Sequence, residues 1–421
     1  MSDSFAKITN IPVVQYLIKW LTISTIVGLL SGLASGVFLH ALEWARATRE
    51  NNLWIIALLP IAGFLIGWMY EKWGKSVVKG NNQLLDEYYR PEQKIPFKMA
   101  PLVFIGTVLT HLFGGSAGRE GTAVQMGGAI SDQFSSVFQL NALDRKIMLV
   151  IGVSAGFASV FGTPLAGAIF AIEVLVLPKA RWEAIIPSLL AAFVANFACD
   201  LTLVEHTHYN INEVPDLTAL SVSWAALSGL IFGLGAMLFA QATHFWGRFF
   251  KKTVSYSPFR PLLGGIVIAV AVFLIGSTKY IGLGVPTIVA SFSESMNSYD
   301  FLLKILFTSF TLGAGFKGGE VTPLFYVGAT LGNALVWFVP LPVGLLAGMG
   351  FVAVFSGATN TPIACTVMGM ELFGVDGCVY IAIACFTAYL SSGYTGIYSS
   401  QLVAAPKYWL YPKKWFGRLL K

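Results

Sequence analysis

Charge is what this sequence has least of. Only 11% of its 421 residues are Asp, Glu, Lys or Arg, where soluble proteins carry about a quarter. A surface so short of charge does not suit a water-soluble enzyme or binding module. Cysteine is scarce too: Cys199, Cys365, Cys378 and Cys385 lie in apolar surroundings without a C-x-x-C pair. They read as small core residues, not as a disulfide frame or a thiolate metal site. Among five histidines the single H-x-H, His206 and His208, has no evident third ligand, so no metal is expected. His40, His111 and His244 read as core or interfacial residues. The net charge of +6 is confined to a few loops, which gives no surface for nucleic acid. The stretch from Asp200 to Asp216 has no Lys or Arg at all.

What is abundant is apolar sequence. Hydrophobic residues make up 56% of the chain and its mean hydropathy is +0.70. Apolar segments near or above the ~20 residues that span a bilayer recur along most of its length. The first, Tyr16 to Leu42, is too long for a signal-peptide core and reads as a retained helix. The fold class expected is therefore an all-α polytopic membrane protein, with the lipid bilayer as its constant partner.

Basic residues mark one side of that membrane. Lys7 and Lys19 flank the first helix start, and a loop from Glu71 to Lys98 holds Lys72, Lys75, Lys79, Arg90, Lys94 and Lys98. Lys179 and Arg181 sit in another loop, and Arg248, Lys251, Lys252 and Arg260 in a third. Lys407, Lys413, Lys414, Arg418 and Lys421 close the chain. The positive-inside rule places residues 1–14 and the basic tail 405–421 in the cytoplasm, and the acidic 200–216 loop outside. Arg46 and Arg49 run against this, in a short loop expected outside. The membrane domain is expected over 15–404, in halves of about 15–200 and 218–404.

Glycine and proline cut the apolar segments at Gly114–Gly121, Gly162–Pro164, Gly313–Pro323 and Gly357–Pro362. Helices broken at membrane depth are tolerated where the freed backbone is buried in protein or lines a cavity. The breaks pair up. Gly118-Arg119-Glu120 returns as Gly318-Gly319-Glu320, 200 positions later, and Gly128-Ala129 returns as Gly328-Ala329. Pro164 precedes Glu173, and Pro362 precedes Glu371, by the same nine positions. Two broken segments at matching places in two halves point to a transporter site at the repeat interface. The residues themselves do not give the relative orientation of the halves.

Glu120 is the centre of this pattern. Gly114, Gly115, Gly118 and Gly121 surround Arg119 and Glu120, and Thr122 is the expected N-cap of the following helix. A helix start at membrane depth offers unpaired N–H groups and a positive dipole end, which together attract an anion. A carboxylate aimed into that site competes with the anion. An ionisable residue there costs roughly 2.5–3.5 kcal/mol and points to function. The plainer alternative is a Glu120–Arg119 pair at an interface. Glu320 has a plainer reading too, as a helix-start carboxylate favoured by the dipole. Glu173 and Glu371, late in their helices, read as structural acceptors for a neighbouring helix end. A rival from another class is an intramembrane serine hydrolase, because Gly114–Gly118 and Gly152–Gly156 both match G-x-S-x-G, with Ser116 and Ser154 as nucleophiles. The elbow needs a strand before it, which these contexts do not supply.

These motifs resemble the CLC family of anion channels and anion/proton antiporters. Gly118–Gly121 reads GREG, Phe161 to Leu175 reads FGTPLAGAIFAIEVL, Gly318 to Pro323 occupies the GGxFxP position, and Tyr398 stands where the family has its central tyrosine. Departures point within the family. Asn81 replaces the serine of GSGIPE, with Asn82 as the alternative if the register differs. GREGP has become GREGT, and Glu320, Val321 and Thr322 alter the second motif. The inner proton-transfer glutamate aligns at Val174. This set resembles the fluoride-exporting branch. It implies a homodimer of two related, inverted halves of broken and tilted helices, in a cell membrane of bacterial type, with no CBS domain and no cofactor. It implies proton-coupled fluoride export, with Glu120 as gate and proton carrier and Glu320 in anion or proton transfer. The anion would be bound by Asn81, Gly118, Arg119, Gly121, Val321, Thr322 and Tyr398. A chloride/proton antiporter or a passive anion channel of the same fold is the alternative.

Overall fold

The computed structural model describes residues 12–176, 182–394, 396–402 and 407. Lys7, Lys179, Arg181, Lys413, Lys414, Arg418 and Lys421, and most of the two terminal segments expected in the cytoplasm, lie outside the described residues.

Sixteen α-helices make up the described chain, and they run through one order twice. The first eight are α1 (Pro12–Asn51), α2 (Leu59–Trp73), α3 (Asn81–Tyr89), α4 (Met99–Leu112), α5 (Glu120–Val137), α6 (Ala142–Phe161), α7 (Pro164–Val176) and α8 (Ile185–Asp200). The second eight are α9 (Ala219–Thr253), α10 (Phe259–Ile275), α11 (Val285–Ala290), α12 (Asp300–Ala314), α13 (Val321–Leu335), α14 (Val343–Thr359), α15 (Pro362–Phe373) and α16 (Cys378–Ser391). Packing repeats with them: α1 lies on α8 as α9 lies on α16, and α5 on α6 as α13 on α14.

Why these helices pack so closely is written in their small residues. A Cβ on Gly127 of α5 would sit 2.2 Å from the Gly152 carbonyl oxygen on α6, and one on Gly328 of α13 would sit 2.0 Å from that of Gly350 on α14. Backbones that touch in this way require glycine, the usual means of tight contact between membrane helices. The left-handed residues that break α6 from α7 and α14 from α15 also correspond: Gly162 has φ 73° and Asn360 φ 59°. Asparagine is one of the few side chains that tolerates that conformation.

The halves meet through α7 and α15. Leu165 and Ala166 N–H, at the start of α7, donate to Glu371 at 2.9 and 2.8 Å. Ile363 and Ala364 N–H, at the start of α15, donate to Glu173 at 3.1 and 2.8 Å. Each carboxylate satisfies the orphan donors of the opposite helix. The exchange requires α7 and α15 to run antiparallel, as in halves related by an approximate two-fold axis. Aromatic rings also join the halves: Phe161 lies 5.2 Å from Phe325, and Phe157 stacks on Phe355 at 6.2 Å.

Three stretches, Val14–Asn51, Leu53–Trp73 and Ala219–Thr253, are long and apolar enough to cross a membrane. Most others have 12 to 17 residues, as in α15 and α10, too short to cross alone at 1.5 Å per residue. All four expected breaks fall between helices. Three expected loops differ. Arg248, Lys251 and Lys252 lie at the end of α9 and Arg260 at the start of α10. Arg46 and Arg49 are not in a loop but in the last turns of α1. No Gly or Pro lies between Gly36 and Asn51, and Arg46 bridges Glu43 and Glu50 along one face at 2.9 and 2.7 Å. The Glu71–Lys98 loop contains the helix α3. Cys199, Cys365 and Cys385 are buried and Cys378 half-buried, all as free thiols.

Candidate functional site

Two glycine-rich connections bring the helix starts of α5 and α13 tip to tip. Gly118 N–H donates to the Gly319 carbonyl at 2.6 Å, and Gly319 N–H to the Gly118 carbonyl at 2.7 Å. This antiparallel bridge joins the two halves at their matching motifs. A side chain would wedge it open: a Cβ on Gly121 would lie 2.9 Å from Asn81 Nδ2 and 3.1 Å from Gly319 Cα. Two positive helix ends therefore converge on one small volume.

Glu120 fills that volume. It is the first residue of α5 and 1% exposed. Its Oε2 accepts from the N–H of Arg119 and of Thr322, each at 3.1 Å, and its Oε1 from the Thr322 hydroxyl at 2.5 Å. Arg119 Nε stands 3.6 Å from Oε1. The Arg119 side-chain contact exists, but it is the longest of the four, and two of the hydrogen bonds come from the opposite half. The carboxylate sits as an anion bound at the N-terminus of α13. Each hydrogen bond to a charged group is worth about 1.5–3 kcal/mol. Thr122 does not cap α5: the helix starts before it, at Glu120, and the Thr122 hydroxyl shares a 2.7 Å hydrogen bond with Thr107.

Glu320 is placed differently. It is the N-cap of α13 but makes no side-chain cap bond. It faces a cavity of about 160 Å³, together with Asn81, Gln125, Lys317, Gly318 and Tyr398. Asn81 opens α3 directly after Gly80, and its Oδ1 is buried without a donor. Among the described residues no donor reaches that oxygen, and the amide Nδ2, which has two N–H donors, lies beside Gly121. Asn82 is committed elsewhere: its Oδ1 accepts from Ser400 N–H at 2.9 Å, tying α3 to the turn that carries Tyr398.

On the other side of the bridge lies a cavity of about 1080 Å³ that receives Arg46, Arg49, His111, Arg119 and Glu205. Arg49 is buried and donates to the His111 carbonyl at 2.6 Å. Glu120 lines neither cavity. It is a plug between them.

The remaining expected residues are distributed around this plug. Thr322 holds it, Arg119 reaches the large cavity, and Tyr398 lines the small one. Val321 opens α13 with its side chain buried. Gly118 lies beside the site, but its N–H is spent on Gly319, so it contributes close approach and not a donor. Val174 is buried and apolar on α7. Neither serine is presented as a nucleophile: Ser116 and Ser154 are fully buried, bonded to Thr308 Oγ1 and the Ser188 carbonyl, each at 2.8 Å. His206 Nε2 lies 3.4 Å from Asp200. Sequence reasoning misses Lys317 and Gln125 in the small cavity. Lys317 does carry a signal, as a charge set within a helix break.

A helical membrane protein with opposed helix starts, and a carboxylate seated where an anion would sit, has the architecture of an ion-transport protein. Residues 62–393 match the Voltage gated chloride channel family, and the chain belongs to that family, CLC. A chloride/fluoride channel protein of Pseudomonas syringae pv. tomato is 52% identical over 412 residues, covering 96% of this chain and 91% of that one. The H(+)/Cl(-) exchange transporter ClcA of Cronobacter sakazakii is 27% identical, over 84% of this chain and 81% of that protein. The crystal structure of a CLC-type fluoride/proton antiporter superposes with a TM-score of 0.89 at 36% identity, covering 91% of this chain and 98% of that one.

Proposed function

We propose that this protein exports fluoride in exchange for protons, as a homodimer in a bacterial cell membrane with both termini in the cytoplasm. The observation that carries the reading is the seat of Glu120. A carboxylate held by the donors of the opposite half occupies the place an anion needs, so the two compete for one field. Protonation removes the charge that holds Glu120 there. The side chain then leaves, the anion takes the same donors, and the departing carboxyl takes its proton with it. Movement of one species thereby requires movement of the other.

Fluoride suits the donor set. It holds its water tightly, so its site must replace that water with short, close hydrogen bonds. Thr322 N–H and hydroxyl, the first N–H groups of α13, the Asn81 amide and the Tyr398 hydroxyl are such donors. Glu320 in the small cavity supplies a second carboxyl for anion or proton transfer, and Val174 offers no alternative carrier on α7. The likeness to the CLC-type fluoride/proton antiporter supports the same reading.

The second reading is a passive anion pathway, for which the channel name of the Pseudomonas syringae relative speaks. Purified protein in liposomes separates them. Fluoride efflux faster than chloride efflux, with proton uptake in step, is the expected result. Fluoride efflux without proton uptake establishes the passive pathway, and equal chloride efflux refutes the fluoride assignment.

A further inference from the structure

The small cavity contains a charge that the exchange of Glu120 with an anion does not use. Lys317 lies between α12 and α13, three residues before Glu320, and lines the cavity. Its stem packs against α4 where a side chain would collide: a Cβ on Gly106 would be 2.9 Å from Lys317 Cβ and Cγ. Its ammonium stands 4.0 Å from the centroid of the Tyr70 ring. A ring face stabilises a cation but accepts no conventional hydrogen bond. Among the described residues, no carboxylate forms a salt bridge with Lys317 and no acceptor receives a hydrogen bond from it. Its donors meet no protein acceptor among the described residues, at the wall of the cavity.

The neighbouring cation is different. Lys79 lines the same cavity, but it is bonded to Asp86 at 2.8 Å and mostly exposed. Its charge is already balanced. Glu320 shares the cavity without pairing to Lys317. The chamber thus holds an uncompensated ammonium, an acid that does not neutralise it, and the Asn81 and Tyr398 polar groups.

We propose that Lys317 forms an anion-loading site: its ammonium binds the transported anion in the small cavity, before the anion reaches the donors now held by Glu120. The ligand class is a small inorganic anion, and the proposal rests on the anion transport proposed for the chain. Tyr70 and Gly106 act as positioning residues, one fixing the ammonium by its ring and the other making room for the stem.

The test is titration of purified full-length protein with sodium fluoride by calorimetry, paired with liposome flux. Lys317→Met keeps the stem and removes the charge, and fluoride binding is expected to weaken by roughly tenfold to a hundredfold. Lys317→Arg should remain within about threefold of the parent, since it restores a permanent cation. Binding by Lys317→Met as tight as by the parent overturns the proposal. If that variant does not yield folded protein, Val78→Glu decides, because Val78 is 57% exposed on the same cavity wall and its replacement disturbs no buried stem. The new carboxylate should compensate the ammonium and weaken fluoride binding, and unaltered binding overturns the proposal. Should the parent bind and carry chloride and not fluoride, the transport assignment fails. The same variants titrated with sodium chloride then judge Lys317 by the same criteria.

Discussion

Glu120 and Glu320 stand 200 positions apart at equivalent helix starts, yet the structure gives them opposite surroundings. Glu120 is closed in by three hydrogen bonds, two of them from Thr322. Glu320 makes no cap bond and faces an open cavity. The cause is the residue two positions on. Thr322 gives α13 a hydroxyl at the bridge, and it holds the carboxylate of the other half. The equivalent Thr122 in α5 turns away to Thr107 and leaves Glu320 unheld. A repeated motif has thus become a plug on one side and a free carboxyl on the other.

The sharpest way to break this contrast is to remove the charge of the plug. Glu120→Gln should reduce fluoride-driven proton uptake in liposomes to the leak of protein-free vesicles. Continued proton pumping would show that the carrier lies elsewhere. Glu320→Gln should leave the protein folded, as judged by gel filtration, while slowing turnover by roughly a hundredfold, a usual loss for a proton-transferring group. If its turnover matches the parent, the free carboxyl is only a helix-start charge.

Smaller changes sharpen the comparison. Thr322→Val removes the hydroxyl that both the carboxylate and the incoming anion would use. Apparent fluoride affinity, from the concentration dependence of efflux, should fall roughly tenfold, as expected for one charge-assisted hydrogen bond. An unaltered affinity would mean that the hydroxyl serves the plug alone. The smallest effect is expected at Asn81. Replacing its amide with the single donor of Asn81→Ser should raise chloride flux relative to fluoride several-fold, near the ~1.4 kcal/mol that separates tenfold preferences. Asn82→Ser should leave the halide ratio in place and loosen the Tyr398 turn, because Asn82 is spent on Ser400. A shift by Asn82→Ser alone would show that Asn82, and not Asn81, makes the anion contact.

Much of the scaffold is legible in the residues alone. Glycine and proline are local determinants, so the four helix breaks and the matching order of the halves follow from spacing. The carboxylates Glu173 and Glu371 are recognisable as structural because each lies a fixed nine residues after a helix-starting proline. Legibility fails where local signals are ambiguous. Thr122 has an N-cap's chemistry, but the bridge between Gly118 and Gly319 starts the helix earlier. Arg46 and Arg49 suggest a loop because charge is unexpected in a membrane helix, while ion pairs along the helix and the carbonyl of His111 accommodate them.

The sequence by itself determined the membrane setting, the places where helices must break, and the presence of a glutamate at two equivalent helix starts. Each depends on composition or on residues within a turn or two of one another. Only the tertiary structure decided which half's donors hold Glu120, which asparagine is spent on Ser400, and that Lys317 shares a cavity with Glu320. Those contacts join residues as far apart as 318 positions. Their geometry comes from the packing of one half on the other, which no local spacing encodes.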